Sequence, residues 1–334
     1  MSLDTTGQVM LYTHDGLAHA DDVFACAMLT LLYPDARVIR TRDVYVLNNA
    51  VSAQDPANFF LDIGGAYCPD NRQFDHHQPQ GAGWRDAEKK WPFATAGLVW
   101  KHYGRQVVQK LYPTLSKAEA VEVVYAIDMS ILRYVDAADC GVKLRTAGPT
   151  LSSLIASFAS PWFEDSRDQF PLVKALCQEV LLNFIKRHVG KVLARDRVRQ
   201  GKLLFEGKVL VLDTCLPWSE VVAEEMPSVE LVVYPVEQVR GTIWQLKTAM
   251  NEDRTVRVIL PQSWAGLDNV KLAHQVGHDH ALFCHRGRYL AGATTFEGIL
   301  HMAQLAVESQ AHVAASKTTM LNPVEPESGE VALV

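Results

Sequence analysis

Several features that define well-known protein classes are absent from this sequence. None of its six cysteines has Cys-x-x-Cys spacing, which argues against a zinc ribbon and against a disulfide framework. The longest uncharged apolar run, residues 23–34, is shorter than the roughly 18 to 20 residues that a membrane-spanning helix needs. The first residues lack the basic and apolar regions of a secretory signal. The sequence therefore predicts a cytoplasmic protein with no membrane partner.

The chain also lacks an excess of positive charge. It carries 32 Lys and Arg against 38 Asp and Glu, for a formal net charge of -6. A global basic field of the kind that drives non-specific binding to long duplexes is therefore excluded. Docking of a short strand at a metal site is not excluded, because two divalent cations would bring about four positive charges to that site.

The length and the patterning predict two α/β domains. With 334 residues, of which 48% are hydrophobic, the chain is long enough for two packed cores. Strands alternate with helices in the first part, which predicts a parallel sheet. A long helix, with proline near its start and glycine just past its end, suits a spacer before a second sheet. Strands are predicted at 9–12, 37–41, 59–62, 208–213, 231–234, 243–250, 256–260 and 282–285, and helices at 21–33, 118–135 and 171–200.

Histidines and aspartates gather at the ends of the predicted strands. His14, His19 and Asp21 follow the first strand, and Asp62 ends another. Because open α/β sheets bind ligands at the carboxyl ends of their strands, we expect these side chains to converge. Further donors come from Asp75, His76 and His77, and from either Asp136 or Asp139 at the end of a predicted helix. The pattern predicts a metal centre.

Imidazole and carboxylate donors without thiolate suit manganese, iron, zinc or magnesium, and manganese is the best compromise for a mixed shell. A pair of divalent cations about 3.5 to 4 Å apart can activate water and neutralise charge in a phosphoryl displacement. We predict Asp62 as the bridging carboxylate. Asp75 is expected to orient a neighbouring imidazole, which leaves His77 free to face substrate. The catalytic group is thus His77, Asp75 and Asp62.

Two other groups of acidic or histidine residues have simpler interpretations than metal binding. Asp22 is compatible with a role beside the metals or with simple electrostatic stabilisation of a helix N-terminus. The histidine-rich segment from His274 to His285 surrounds a turn and a short strand and is not expected to bind metal.

The ordered blocks of this chain resemble the melanocyte-proliferating-gene family of metal-dependent hydrolases, within the DHH phosphoesterase superfamily. The resemblance extends over nearly the whole chain and continues through the shorter matches Ala96-Gly97-Leu98, Pro217-Trp218, Trp264-x-Gly266-Leu267 and Glu297-Gly298. Its main blocks are Thr13-His14-x-Gly16-x-x-His19-x-Asp21-Asp22, Asp62-Ile63-Gly64-Gly65, Phe74-Asp75-His76-His77-Gln78 and Val135-Asp136-x-x-Asp139-Cys140-Gly141.

The resemblance implies a DHH-type metal domain with a parallel sheet, followed by a smaller substrate-binding α/β domain. We place the metal domain at 1–170, a connecting helix at 171–202, the substrate domain at 203–313 and a tail at 314–334. The implied metal ligands are His14, His19, Asp21, Asp62, His76 and an acid of the Asp136 block. Substrate contacts are implied at His77 and Gly292, although relatives carry Gly-Gly-His and basic residues where this chain has Ala291-Gly292-Ala293-Thr294.

The leading functional hypothesis is a metal-dependent exonuclease or oligonucleotide phosphodiesterase that acts on short single-stranded RNA. A pyrophosphatase or small-nucleotide phosphatase is the alternative within the same chemistry. The alternative from a different class is a noncatalytic binding or regulatory module that retains the metals. The sequence is also compatible with a homo-oligomer.

Overall fold

The computed structural model describes residues 7–144, 148–165, 167–239 and 241–321, and the part of the predicted tail at 322–334 lies outside them. The chain forms two compact units, Met1–Val192 and Leu193–Val334. The α/β fold class predicted from the sequence is confirmed. Among the described residues, no helix is long and apolar enough to cross a membrane.

The first unit is built on a five-stranded sheet of order β2-β1-β3-β5-β4. The strands β2, β1, β3 and β5 run parallel, and only β4 is antiparallel to its neighbour. The parallel sheet predicted for this part of the chain is therefore present. The strands are β1 (Met10–Thr13), β2 (Arg37–Arg40), β3 (Asn58–Leu61), β4 (Tyr67–Cys68) and β5 (Gln73–Phe74).

The core of this unit lies where the sheet meets its helices. All four residues of β3 are buried, and the first helix buries every residue from Ala20 to Leu29. These strands and helices share one apolar cluster, which fixes the positions of the loops at the strand ends. The helices are α1 (Ala20–Leu32), α2 (Val44–Ser52), α3 (Thr95–Leu111), α4 (Lys117–Ile127), α5 (Arg133–Asp139), α6 (Leu151–Ala156) and α7 (Phe170–Arg199).

The prediction of an uninterrupted helix at 118–135 is wrong in one respect. A π-helical turn over Asp128–Leu132 separates α4 from α5, and α5 continues to Asp139, so both candidate acids lie within it. A π-turn inserts a residue into the helical repeat and rotates the side chains that follow it. Hydrophobic spacing alone does not show such an insertion.

The second unit has a six-stranded mixed sheet of order β10-β11-β9-β8-β7-β6. Only the β7 and β8 pair is parallel. The strands are β6 (Lys202–Leu204), β7 (Val209–Val211), β8 (Leu231–Gln238), β9 (Gly241–Thr248), β10 (Ala281–Cys284) and β11 (Leu290–Ala293). The helices are α8 (Ser219–Glu225), α9 (Asn269–Val276) and α10 (Phe296–Leu321).

The strand predicted at 256–260 does not form. Val256 makes an isolated bridge to Met250, and the residues after it are irregular. The guanidinium of Arg257 donates to the carbonyl oxygens of Val222, Ala223, Met226 and Val229. This side chain therefore fastens the segment to the end of α8 and satisfies carbonyls that a helix terminus leaves unpaired.

Candidate metal centre

The candidate metal centre lies at the carboxyl edge of the first sheet. His14 directly follows β1, Asp62 directly follows β3, and His76 lies two residues beyond β5. Because β1, β3 and β5 are parallel neighbours, their carboxyl ends meet at one edge. The convergence expected from the sequence is seen in the distances that follow.

His14 is buried and held in one orientation. Its Nδ1 lies 2.9 Å from the carbonyl oxygen of Asp15 and donates to it. The other ring nitrogen, Nε2, lies 3.3 Å from Asp62 Oδ2 and 3.4 Å from Asp22 Oδ2. Nε2 is fully buried and has no hydrogen-bond partner. An imidazole that is fixed through one nitrogen, while the other nitrogen has no hydrogen-bond partner and faces carboxylates, has the arrangement of a metal ligand.

Asp62 occupies the middle of the cluster. Its backbone has a φ of 56°, a left-handed conformation that Asp and Asn tolerate better than most residues. Oδ1 lies 3.4 Å from Nδ1 of His76 and 3.4 Å from Nδ1 of His77, while Oδ2 faces His14. The hydroxyl of Thr95 donates to Oδ1 over 3.3 Å. Each carboxylate oxygen of Asp62 therefore faces a different set of imidazoles.

Asp139, and not Asp136, faces the cluster. One oxygen of Asp139 lies 2.9 Å from His76 Nε2, and the other lies 3.8 Å from His19 Nδ1. Asp21 completes this side, with Oδ2 at 3.7 Å from His76 Nδ1. Oδ1 of Asp21 is buried without a hydrogen-bond partner. His19 is half exposed, so the cluster opens to solvent on its side.

Asp136, one helical turn before Asp139 on α5, makes its hydrogen bonds outside the cluster. Its Oδ2 accepts from Arg85 over 2.7 Å, and its Oδ1 accepts from the backbone N–H of Gly97 over 3.0 Å. A side chain at Gly97 would collide with both Asp136 and Arg85, so the close approach requires glycine. Arg85 also binds Asp128, on the π-turn, through Nε and Nη2. Asp128, whose side chain is 20% exposed, thus belongs to a largely buried ionic network.

His77 and Asp75 form a pair beside the cluster. Nδ1 of His77 lies 2.8 Å from Asp75 Oδ1, while the His77 ring is 61% exposed. Asp75 also accepts from the backbone N–H groups of Gly65 and His77. These bonds hold Asp75 in place and direct the free edge of the His77 ring to solvent. The rings of His76 and His77 stack with centroids 4.4 Å apart.

Asp22 has a double role that the sequence left undecided. One oxygen accepts from the backbone N–H of His19 over 3.0 Å at the start of α1, while the other faces His14.

Gly292, the predicted substrate contact of the second unit, lies in β11. A Cβ there would collide with the ring of Phe283. The packing explains the glycine, and its contact with substrate stays a prediction.

The residues present fit divalent cations. Three groups of side chains bring their donor atoms within 4.8 Å of one another, and Asp62 belongs to two of them. The groups are Asp62, Asp75, His76 and His77; His14, His19 and Asp62; and His19, Asp21 and Asp139. The unpaired buried atoms of His14 and Asp21 point to a partner that the protein itself does not supply.

Without cations, crowding shifts the ionisation of these groups. Burial, reinforced by the charges of Asp62 and Asp139, raises the pKa of Asp21 well above its ordinary range. Burial raises the pKa of Asp22 to about 7, although the neighbouring His14 opposes the shift. Burial lowers the pKa of His76, but the hydrogen bond to Asp139 and the charge of Asp62 together raise it by more than burial lowers it. The net shift of the His76 pKa is therefore upward. In the absence of cations, bound protons on these side chains thus partly offset the negative charge of the cluster.

These shifts predict how the stability of the metal-free protein depends on pH. Asp22, with a pKa near 7 against an ordinary 3.8, binds its proton more tightly in the folded than in the unfolded chain. Its unfavourable ionisation therefore costs stability as pH rises from about 4 to 7. The raised pKa of His76 acts in the same direction, since its stabilising charge is lost above neutrality. We expect EDTA-treated protein to melt at a lower temperature at pH 8 than at pH 5.5.

Saturating Mn²⁺ should reverse this order, because cations bind the deprotonated ligands and proton release then favours the folded state. The Asp22→Asn variant in EDTA should show a shallower decline. Differential scanning calorimetry at fixed ionic strength provides the measurement. A melting temperature in EDTA that is flat or rises over this range would contradict the assignment.

Two residues that the sequence did not identify support the centre. Thr95, at the start of α3, donates its backbone N–H to Asp21 and its hydroxyl to Asp62. Arg85 binds Asp136 from a loop far away in the sequence. Thr95 directly precedes the Ala96-Gly97-Leu98 match, which offered a signal, whereas no local pattern marks Arg85.

Comparison with curated proteins gives relatives that match over nearly their full length. The MYG1 protein of Schizosaccharomyces pombe is 26% identical over 328 residues, which cover 90% of this chain and 98% of the relative. The MYG1 exonuclease of Mus musculus is 28% identical over 324 residues, which cover 87% of this chain and 83% of the relative. A MYG1 protein of Chlamydia pneumoniae is 27% identical over 309 residues, which cover 89% of this chain and 96% of the relative.

Similarity to solved structures is weaker. A pGpG-specific phosphodiesterase, PggH, from Vibrio cholerae covers 91% of this chain and 99% of its own, at 14% identity and a TM-score of 0.25. The CDC45 protein of Entamoeba histolytica covers 72% of this chain and 84% of its own, at 9% identity and a TM-score of 0.22. Scores of this size carry no structural argument.

The family assignment rests on the sequence comparison. The model of the MYG1 exonuclease family, described as an uncharacterised protein family (UPF0160), matches residues 10–307. The resemblance found in the ordered histidine and aspartate blocks is thereby confirmed. Since the match spans most of the chain, this protein belongs to the MYG1 exonuclease family.

Proposed function

We propose that this protein is a metal-dependent phosphodiesterase that shortens short single-stranded RNA through a pair of divalent cations. The observation that carries the proposal is the position of Asp62. Its two oxygens face different imidazoles, His14 on one side and His76 with His77 on the other. A carboxylate shared between two groups of donors is the arrangement that a paired metal site requires.

We assign the ligands from the distances in the cluster. His14, Asp21, Asp62, His76 and Asp139 would hold the cations, and His19 adds a donor at the open side. Asp136 is excluded from this set because both of its oxygens are bound elsewhere. The mixed nitrogen and oxygen shell suits manganese best. Burial and the charge of Asp136 raise the pKa of the nearby Cys140 thiol to about 12, so thiolate does not compete as a donor.

The protein's own groups prepare the reaction. The bound cations supply Lewis-acid charge to the phosphoryl oxygens and activate water for in-line displacement. Asp75 holds His77 through Nδ1, which leaves Nε2 at the solvent-facing edge. From there, a protonated His77 can donate to a phosphate oxygen or to the leaving oxygen. The buried carboxylates fix positions that need little reorganisation when charge develops.

The printed names of relatives support the choice of reaction. Mammalian relatives in mouse and human carry the name MYG1 exonuclease. An exonuclease hydrolyses phosphodiester bonds from a chain end, which agrees with a paired metal site at the edge of a sheet. The net charge of -6 favours a short strand drawn to local cation charge over a long duplex held by a basic surface.

The direct test uses 5′-labelled short RNA with wild-type protein and the His76→Ala variant, both supplied with Mn²⁺. His76 touches three carboxylates of the cluster, so its removal should abolish both RNA shortening and stoichiometric metal. The product ladder gives the direction of digestion, and plasma emission spectrometry gives the metal content.

Two results would overturn the RNA assignment. Release of phosphate from pyrophosphate with intact RNA would identify a pyrophosphatase or small-nucleotide phosphatase. Full metal occupancy without turnover of any phosphoester would identify a noncatalytic module. The variant Asp15→Asn, which alters an exposed carboxylate paired with Arg42, serves as the matched control.

A further inference from the structure

A large cavity opens beside the metal centre on the side of His19. It has a volume of about 840 Å³, within the usual range of about 300 to 1,000 Å³ for small-molecule sites. One wall is the loop from Gly16 to His19, which carries a donor of the cluster. Another wall is formed by residues 158–162, 164 and 167–169, which lie between α6 and α7. The cavity is therefore continuous with the proposed reaction site through His19.

The segment between α6 and α7 presents aromatic side chains to solvent. Trp162 is 94% exposed and Phe163 is 68% exposed, and their rings meet edge to face at 5.7 Å. Both positions are ordered by local bonds, since Glu164 donates its N–H to the carbonyl of Pro161 and Arg167 donates its N–H to Ser160 Oγ. A tryptophan left in water forgoes the free energy of burial. Such exposure at a cavity mouth is typical of a ligand contact.

Arg40 lines the cavity, and its positive charge is paired there with the carboxylate of Asp168. The guanidinium of Arg40 lies 4.5 Å from the ring centroid of Phe170. It donates to the carbonyl of Gly16 over 2.7 Å and to Asp168 over 2.8 Å. Its Nε is buried without a hydrogen-bond partner. Arg40 thus joins the loop that carries His19 to Asp168 and to Phe170 at the start of α7.

We propose that this cavity is the nucleoside subsite of the substrate, in which a nucleobase stacks on Trp162 while the adjoining sugar and phosphate pass Arg40 towards His19. The inference rests on the proposed phosphodiesterase function. An aromatic face beside a guanidinium is the combination that binds single-stranded nucleotides without strong base preference, because every base has a π-face. An aliphatic phosphoester would leave the Trp162 ring unused.

The test compares Trp162→Ala, Trp162→Phe and the control Tyr45→Ala, whose side chain is 84% exposed on α2 outside the cavity. With short RNA and Mn²⁺, Trp162→Ala should raise KM by about tenfold or more, the range expected from loss of one base stack. Trp162→Phe should restore most of this loss, and Tyr45→Ala should match the wild type. Metal content should stay constant in all variants.

A substrate of equal length with abasic nucleotides separates stacking from other effects. Wild-type KM should rise on this substrate to the level of Trp162→Ala, and the variant should show no further increase, since the two changes remove the same contact. Equal KM values for wild type and Trp162→Ala on normal RNA would overturn the subsite while leaving the phosphodiesterase function intact.

A binding measurement keeps the two proposals distinguishable. Adenosine 5′-monophosphate should quench tryptophan emission in the wild type and in Tyr45→Ala, but to a much smaller extent in Trp162→Phe. If this quenching occurs in a protein that hydrolyses no RNA, the subsite stands and the reaction is wrong. Quenching of equal depth and affinity in wild type and Trp162→Phe would refute the subsite.

Discussion

Asp62→Asn should abolish RNA hydrolysis, with a loss on the order of a thousandfold or more, because in the proposed two-cation site the several kcal/mol contributed by the cations would depend on this carboxylate. The substitution is nearly isosteric. Asparagine also tolerates the left-handed conformation at φ 56°, so the backbone is not strained by the change. The loss can therefore be attributed to the missing charge and not to altered folding.

The same variant should be at least as stable as the wild type in EDTA. The charge of Asp62 contributes to the raised pKa values of Asp21 and Asp22, and its removal relieves repulsion among buried carboxylates. Calorimetry should therefore show an unchanged or higher melting temperature without metal, together with loss of the stabilisation that Mn²⁺ gives the wild type. A strained or misfolded variant would melt lower under both conditions.

The control is Asp15→Asn, which makes the same chemical change beside the cluster. The Asp15 side chain is 55% exposed and pairs with Arg42, while its backbone carbonyl, which holds His14, is retained. Its turnover and its metal content should equal those of the wild type. Retention of both metal and turnover in Asp62→Asn would remove Asp62 from the centre of the mechanism.

The edge of the sheet could be predicted from the sequence because its signals are local. The apolar runs before His14 and Asp62 gave the strand ends directly, and parallel strands deliver their ends to one edge. The family resemblance added the order of the blocks. The structure brings these side chains within donor distance of one another. Their roles as ligands stay a prediction until metal binding is measured.

The choice between Asp136 and Asp139 could not be made in this way. Both acids lie on one short helix, one turn apart, so helical spacing places them on the same face and does not distinguish them. What distinguishes them is Arg85, which binds Asp136 and is 43 residues away in the chain from its other partner, Asp128 on the π-turn. Long-range ion pairs leave no periodic signal in a sequence, so no local pattern marks the contact between Arg85 and Asp128.

Arg85→Ala should lower the free energy of unfolding by about 3 to 5 kcal/mol at pH 8, because it leaves the carboxylate of Asp136 buried and unpaired. Arg85 is 7% exposed and Asp136 is fully buried. Burial already raises the pKa of Asp136 to about 7 against the opposing charge of Arg85. Without Arg85 this carboxyl should take up a proton readily, so the loss of stability should be clearly smaller at pH 5.5. Urea denaturation at both pH values measures the difference.

Rescue by a second substitution distinguishes the ionic role of Arg85 from simple packing. In Arg85→Ala with Asp136→Asn, the fully buried charge of Asp136 is removed as well, and most of the lost stability at pH 8 should return. The control Arg199→Ala breaks an exposed pair with Glu225 and should change stability little at either pH.

Because Asp139 lies one helical turn beyond Asp136 on α5, Arg85→Ala should also weaken Mn²⁺ binding by about 10 to 100-fold, as expected when groups that orient a ligand are lost. Unchanged metal affinity in the folded variant would show that Asp139 keeps its position without this network.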